Sequence, residues 1–401
     1  MEISAADTVW VMISSALILL MLPGLALFYG GLVQRKNVLS SMMHSFVAMG
    51  VMAVEWVIIG YSLAFGTGNG TINWFIGGLE YVFLRGIDPY SVTGTIPTYA
   101  FITFQGMFAI ITPALISGAI VGRVKFKSYI AFIALWGLIV YAPVCHWVWG
   151  GGFLTGEALD FAGGTVVHIT SGISSLAILV YLGKRRGYGV DSINPHNLTL
   201  TLLGAGLLWF GWFGFNAGSS LAANEIAALA LITTLVAPGA ASLSWMVIEW
   251  VHTGKPTAIG FASGILAGLV AITPAAGFVT PMAAIPIGII SGIICYMAVG
   301  IKRKLGYDDS LDAFGVHGVG GMTGALLTGV FASVGATGFL LGNTHQLMIQ
   351  LEGVVITIVY SVVCTIIIGF ALQKTIGFKV SESEENIGLD RTQHGEIAYN
   401  V

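Results

Sequence analysis

The sequence has very few charged residues for its length. Only 9% of its 401 residues are Asp, Glu, Lys or Arg, whereas a soluble domain carries about 25%. Hydrophobic residues make up 56% of the chain, and its mean hydropathy is +0.88. This shortage of charge excludes a water-soluble globular protein, so we expect an all-α polytopic membrane protein.

Cysteines are also few, and the first residues are not basic. The three cysteines, Cys145, Cys295 and Cys364, lie in apolar runs and lack the spacing of metal ligands. The first residues, MEISAADTVW, lack the basic stretch of a cleavable signal peptide. We therefore expect no disulfide framework, no metal site, no cofactor, no nucleic-acid partner and no cleaved leader.

Apolar runs long enough to span a bilayer are abundant. A transmembrane helix needs about 20 mostly apolar residues, and the chain also contains 55 glycines, which allow helices to pack closely. The predicted spans, eleven in number, are 8–33, 40–65, 99–121, 128–148, 163–182, 198–218, 225–251, 257–273, 281–301, 312–333 and 346–373.

The basic residues predict the orientation of these spans. With eleven spans, fifteen of the sixteen Lys and Arg residues fall on one side, and only Arg85 falls on the other. Because basic loops stay in the cytoplasm, the N-terminus is predicted outside and the C-terminus inside.

Two spans resemble each other. Helix five begins near Asp160 and carries His168, and helix ten begins near Asp312 and carries His317. The two helices start on opposite sides, which predicts an inverted five-plus-five repeat with one extra helix, and such repeats place a substrate path at their interface. The predicted divisions are a membrane domain at 1–373, repeats at about 8–182 and 198–333, an extra helix at 346–373 and a cytoplasmic tail at 374–401, whose acidic run SESEE is expected to be mobile.

The two acids and the two histidines call for different interpretations. Asp160 and Asp312 are expected mainly as structural caps, because an acid at a helix start accepts bonds from free N–H groups. Asp160 could also add negative potential at an outer cation site. A lone buried histidine is usually a packing residue, but a facing pair, His168 and His317, could share one proton.

Aromatic residues converge on the predicted outer ends of three helices. Phe104 and Phe108 lie on one face of helix three, Trp149 lies at the end of helix four, and Phe215 and Ser219 lie near the end of helix six. Several aromatic rings with one hydroxyl and little net charge suit a small cation held by cation–π attraction.

The sequence closely resembles the ammonium transporter (Amt/Mep/Rh) family along its whole length. The resemblance rests on DFAGGTVVHI, FQGMFAIITPALI, GWFGFNAGS, DAFGVHGVGG and LDRTQHGEIAYN. It implies eleven helices in an inverted repeat, in the cell membrane, assembled as a homotrimer with one pore in each subunit. The tail resembles the segment through which family members respond to PII-type nitrogen regulatory proteins.

The resemblance also implies roles for individual residues. It assigns Trp149, Phe104 and Ser219, with Asp160 nearby, to an outer ammonium recruitment site. It assigns Phe108 and Phe215 to a phenylalanine gate. His168 and His317 match the twin pore histidines and a possible proton relay, while Asp312 stays a structural acid.

Chemistry favours a mechanism that removes a proton from the substrate. Ammonium and potassium are alike in size and charge, but only ammonium can be deprotonated. An ion entering an apolar pore pays a large desolvation penalty, which neutral ammonia avoids. We therefore expect recruitment of NH4+, or of its analogue methylammonium, followed by passage of NH3 along the histidines.

Three alternatives remain open at this point. The proton could follow through the histidines, giving electrogenic transport, or stay outside, giving a passive gas channel. The protein could also be an ammonium sensor that signals through its tail. A membrane enzyme with haem or metal on the histidines is disfavoured, because further ligands are missing near them.

Overall fold

The structure, a computed structural model, describes residues 2–68, 70–190 and 194–399 and is nearly all helical. Within these residues ten helices are long and apolar enough to cross a membrane, and an eleventh apolar helix, α8, has 15 residues. The helices are α1 Ala5–Leu32, α2 Arg35–Phe65, α3 Thr98–Ile120, α4 Phe126–Trp149, α5 Gly164–Leu182, α6 Leu198–Gly218, α7 Glu225–Thr253, α8 Ala258–Ile272, α9 Pro281–Lys302, α10 Phe314–Phe331 and α11 Thr344–Thr375.

These helices lie where the sequence predicted apolar spans, and the protein is a multi-pass membrane protein. The expected all-α membrane fold is confirmed. The count of eleven crossings, the orientation and the division into repeats stay predictions. Outside the helices, the loop between α2 and α3 contains short 3-10 turns and a small hairpin, β1 Val92–Thr93 and β2 Ile96–Pro97.

Glycines let the two histidine-bearing helices touch backbone to backbone. A Cβ atom added at Gly172 of α5 would lie 2.0 Å from the backbone nitrogen of Gly318 in α10. A Cβ added at Gly321 of α10 would lie 3.0 Å from the His168 Cβ. Only glycine permits this approach, which is how small residues bring membrane helices together.

Both histidine-bearing helices begin with a π-helical turn. These turns span Gly164–Ile169 in α5 and Phe314–Gly318 in α10, and each contains its helix's histidine. π-Helical turns are rare and are often found at functional sites. The shared irregularity adds a structural likeness to the sequence likeness between the two helices.

Buried aspartates cap both of these turns, but one of them is not the predicted residue. The Asp160 carboxylate accepts hydrogen bonds from four backbone N–H groups, those of residues 163 to 166, at 2.6–3.1 Å. At α10 the carboxylate that accepts N–H groups, from residues 313 to 315, belongs to Asp309.

The predicted capping role of Asp312 is therefore wrong. Asp312 has a left-handed backbone conformation, with φ of 61°, and its carboxylate pairs with the Lys302 ammonium. The Asp309 carboxylate already accepts the free N–H groups of residues 313 to 315, and the Asp312 carboxylate is held away by Lys302. Asp312 is still a structural acid, but through an ion pair.

The tail is folded against the membrane domain. It contains α12 Glu382–Ile387 and α13 Leu389–His394. The acidic run expected to be mobile instead starts α12, where Ser381 and Glu384 form a reciprocal capping box. Three acids in the first turn of α12 also complement the helix dipole.

Candidate functional site

The two predicted pore histidines lie side by side inside the bundle. Their Nδ1 atoms are 3.3 Å apart, and their rings lie 5.3 Å apart and 26° from parallel. His168 is 1% exposed and His317 is 3% exposed. Two Nδ1 atoms at this distance can share one hydrogen, so one ring donates while the other accepts.

A narrow apolar cavity adjoins this pair. Its volume is about 10 Å³, which is room for about one water-sized molecule. The two histidines and the Trp212 indole contribute ring nitrogens to its wall. The other residues that line it are apolar: Met21, Leu25, Ile111, Leu115, Val167, Leu208, Phe215 and Leu266. Such a space disfavours an ion and accepts a small neutral molecule.

Trp212 holds the orientation of His168, a role that sequence reasoning missed. Its ring stacks on the His168 ring at 5.4 Å and 24°, and its indole N–H donates to the Thr273 hydroxyl at 2.9 Å. Trp212 lies in the aromatic run WFGWFGF, where sequence alone could not separate a pore-facing ring from a packing ring.

Two phenylalanine rings lie between the histidines and the candidate outer site. Phe108 and Phe215 pack with ring centroids 4.5 Å apart, and Phe215 stacks 6.0 Å from the His168 ring. Phe104 packs 5.1 Å from Phe108. All three phenylalanines are almost completely buried.

The remaining outer-site residues gather on the other side of Phe108. The Trp149 ring meets Phe108 edge-on at 5.7 Å, and both Trp149 and Ser219 are half-buried. The Ser219 hydroxyl donates to the Phe215 carbonyl at 2.9 Å, which leaves its oxygen lone pairs free to accept. The structure thus brings Trp149, Phe104 and Ser219 to one aromatic cluster.

Asp160 contacts this cluster through Trp149. The Trp149 indole N–H donates to the Asp160 backbone carbonyl at 2.9 Å. The Asp160 carboxylate is 6% exposed and is occupied by its four backbone N–H donors. The Asp160 backbone therefore orients the Trp149 indole, while the Asp160 carboxylate is already occupied by backbone N–H groups.

A larger cavity lies on the far side of the histidines. It has a volume of about 710 Å³, and His317 lines both this inner vestibule and the narrow cavity. The Lys302–Asp312 ion pair lies in its wall, with side chains 19% and 31% exposed. Asp312 is thus separated from the recruitment residues and faces the opposite mouth.

A buried ion-pair cluster supports the rim of the vestibule. Asp308 pairs with Arg185, at 2.7 Å, and with Arg123, at 3.4 Å. Burial alone would raise the pKa of Asp308, but the hydrogen bond from Arg185 and the charge of Arg123 hold that pKa below its usual value. Asp308 therefore stays ionised and fixes the loop that carries Arg185.

A stricter comparison of spacing could have found the second capping acid. Asp160 precedes His168 by eight residues, and Asp309 precedes His317 by the same eight. Lys302 gave no such signal, because it lies in the basic cluster KRK at the end of α9. In the described ranges no group of three or more His, Cys, Asp or Glu residues is arranged to hold a metal ion.

Comparison with known proteins places these observations in a family. A model of the Ammonium Transporter Family matches residues 9–399. The chain is 51% identical over 407 residues to the ammonium transporter of Aquifex aeolicus, an alignment that covers 100% of this chain and 95% of that protein.

Solved structures agree. The fold matches the crystal structure of Saccharomyces cerevisiae Mep2 with a TM-score of 0.89 and 37% identity, over 95% of this chain and 88% of that one. A structure described as a sensor Amt protein matches with a TM-score of 0.90 and 32% identity, over 97% of this chain and 98% of that one. This chain therefore belongs to the Ammonium Transporter Family, a family of membrane transporters.

Proposed function

We propose that this protein carries ammonium nitrogen through the cell membrane by deprotonating NH4+ at an outer aromatic site and conducting NH3 past two histidines. The single observation that carries the proposal is the His168–His317 pair, with Nδ1 atoms 3.3 Å apart, beside an apolar cavity of about 10 Å³. A transporter of this kind performs no covalent catalysis and needs no cofactor.

Recruitment would occur at Trp149, Phe104 and Ser219. The indole and phenyl faces attract a cation through their π electrons, which is worth about 0.5–2 kcal/mol per good contact. The Ser219 oxygen can accept one N–H of the bound ion. Asp160, buried behind Trp149, adds negative potential without giving up its backbone hydrogen bonds.

Deprotonation would follow at the gate formed by Phe108 and Phe215. An ion that moves past these rings leaves water and gains no charged partner, so its charged form becomes very unfavourable there, and its proton passes either to water at the outer site or to the histidine pair. NH3 needs only a transient opening of the two rings. Potassium cannot lose charge, and the same step therefore rejects it.

The histidine pair would then guide NH3 to the inner vestibule. With one proton shared between the Nδ1 atoms, one outward Nε2 carries a hydrogen and the other carries a lone pair. The pair thereby offers a donor and an acceptor to ammonia while remaining uncharged. If the pair also relays the released proton, transport is electrogenic, which we favour over a passive gas channel.

The test removes both imidazoles. In proteoliposomes, His168→Ala/His317→Ala is expected to reduce the current after an ammonium jump about tenfold or more, because each tenfold corresponds to about 1.4 kcal/mol of barrier. His345→Ala, which removes an exposed imidazole at the start of α11, is the matched control. Unchanged current and unchanged methylammonium uptake in the double variant would mean that the histidine role is wrong.

A sensor function is the second candidate, because a sensor Amt protein is among the structures that this fold matches. Proteoliposomes that contain only this chain separate the two functions. Uptake without any partner protein supports transport, whereas binding without uptake supports a sensor that signals through the tail.

Assembly and partners are proposals as well. Large apolar side chains such as Met12, Val54, Leu203 and Val247 are exposed on the outer helix faces. Such surfaces suit membrane lipid and other subunits, and we propose a homotrimer on the basis of family membership. A PII-type regulatory protein at the tail face is proposed on the same basis.

A further inference from the structure

Three of the eight histidines lie where the tail packs on the membrane domain. His44 lies on α2, His196 lies in the loop before α6, and His394 ends α13 in the tail itself. None of them belongs to the proposed pore. We call this contact the tail seam, defined by His44, His196, His394 and Tyr399.

His44 and His394 both pack against the ring of Phe126, His44 nearly parallel to it and His394 edge-on. Phe126 lies 4.6 Å from the His394 ring and 6.1 Å from the His44 ring. The Tyr129 ring lies a further 4.2 Å from His44. His44 is 1% exposed, and Phe126 links it to His394 of the tail.

These imidazoles have unusually few polar contacts. Neither ring nitrogen of His44 has a hydrogen-bond partner among the described residues, and neither does the buried Nε2 of His394. An imidazolium needs acceptors for two N–H groups. The docked tail therefore suits the uncharged rings and offers little to the charged ones.

His196 anchors the end of the tail. Its Nε2 lies 3.1 Å from the Tyr399 hydroxyl, and the two rings lie 5.6 Å apart. The Arg35 guanidinium lies 5.7 Å from the same tyrosine ring and donates to the Tyr399 carbonyl at 3.3 Å. A second positive charge at this point would face Arg35 directly.

The electrostatic surroundings point the same way. Burial lowers the pKa of His394, although Asp390 and Glu396 oppose that effect. Burial also lowers the pKa of His196, helped by Arg35 and opposed by Asp390 and by the carbonyls of Val33 and Gly30. His44 faces His394 from the tail and the Tyr129 phenol from α4.

We propose that the tail seam is a proton-binding site, and that protonation of its three imidazoles releases the tail from the membrane domain. On the predicted orientation the triggering protons are cytosolic. Docking is strongest above the ordinary histidine range, about pH 6.5, and weakens below it, because the released rings bind protons more tightly than the docked rings.

Release would reach the inner vestibule. The Glu385 carboxylate in α12 accepts the Arg186 backbone N–H at 2.8 Å, and the Glu385 carbonyl accepts from Lys36 at 2.8 Å. Arg186 lies in the loop whose neighbours Arg185 and Tyr188 line the vestibule. A tail that leaves the seam would therefore no longer hold the loop that forms part of the vestibule wall. This inference does not depend on which nitrogen species crosses the pore.

Spin-label mobility tests the proposal. A nitroxide is placed at Ile397→Cys, which is 44% exposed between His394 and Tyr399, in a Cys364→Ser background where the remaining Cys145 and Cys295 are buried. Room-temperature spectra of the full chain in nanodiscs are recorded from pH 8 to pH 4.5. We expect a restricted label at pH 8 and a mobile label at low pH, with a midpoint in the histidine range.

Three variants decide the cause of any release. His196→Gln and His394→Gln should each move the midpoint to lower pH, whereas His252→Gln, which removes an exposed imidazole away from the tail seam, should leave it unchanged. A label that stays restricted down to pH 4.5 in the parent protein overturns the proposal. So does a midpoint near 4, typical of carboxylates, or a midpoint that is the same in all variants.

If one of the two histidine variants already has a mobile label at pH 8, the parent titration and the other histidine variant decide the outcome. Ammonium-jump currents measured on the same samples report the pore separately. A protein that transports normally but never releases its tail refutes this inference alone.

Discussion

The close crossing of α5 and α10 makes Gly172→Ala an informative substitution. The added Cβ would lie 2.0 Å from the Gly318 nitrogen, whereas ordinary van der Waals contact begins near 3.4 Å. The two backbones must therefore separate by about 1.4 Å at this point. The Nδ1 atoms of His168 and His317, now 3.3 Å apart, would then exceed hydrogen-bonding distance.

Two consequences follow for Gly172→Ala. Overpacking of this kind costs about 1–3 kcal/mol of stability, so the thermal unfolding midpoint should fall. Loss of one neutral hydrogen bond is worth about 1 kcal/mol, which corresponds to a roughly fivefold smaller ammonium-jump current if that bond relays the proton. The outer aromatic site should retain its affinity for the ion, because no residue of that site touches Gly172.

Gly206→Ala is the matched control, since a Cβ added at Gly206 of α6 meets nothing within 4 Å. Its current should equal that of the unsubstituted protein, and its unfolding midpoint should be equal or slightly higher, because alanine favours a helix interior over glycine by up to about 1 kcal/mol. A cryo-EM structure of Gly172→Ala then separates two errors. An unchanged histidine distance would refute the contact argument, and a lengthened distance with full current would refute the relay.

Two further predictions concern the acids around the inner vestibule. Asp309→Asn should lower the unfolding free energy by about 1–3 kcal/mol, because it weakens a buried acceptor of three N–H groups. Asp312→Asn, in a partly exposed ion pair, should lower it by less than about 1 kcal/mol. Equal losses would contradict the assignment of Asp309 as the cap. Asp308→Ala leaves the charges of Arg123 and Arg185 without their partner and should cost about 3–5 kcal/mol at pH 7. Since the pKa of Asp308 is lowered in the folded protein, this stabilisation is present above about pH 3.9 and disappears as the pH falls through the lowered value. The unfolding midpoints of Asp308→Ala and the unsubstituted protein should therefore converge at low pH, and a difference that persists there would contradict the argument.

Much of the fold was accessible from sequence because it depends on local composition. Each predicted span overlaps a helix, since an uninterrupted apolar run in lipid must satisfy its own backbone groups and therefore forms a helix. The meeting of His168 and His317 was also predictable, because polar rings in apolar runs are costly and usually face a partner or a cavity.

Predictions failed where two candidates lay close together in the chain. Asp309 and Asp312 both precede α10, and only the geometry of the turn shows which carboxylate reaches the free N–H groups. The acidic run SESEE was also expected to be mobile, yet it starts α12, and the tail is held by Asp390, which accepts from the Ser40 backbone, and by Asn37, which accepts from Leu389. These partners lie some 350 residues away in sequence.

The sequence by itself determined that this protein lies in lipid, where its helical spans run and which chemical groups its interior can offer. Tertiary structure alone decided which groups meet: the stacking of Trp212 on His168, the pairing of Lys302 with Asp312, and the histidines beneath the tail. The physical reason is the range of the forces involved. Transfer into lipid is a property of each segment, whereas a hydrogen bond or a ring contact exists only when distant segments pack to within a few ångströms.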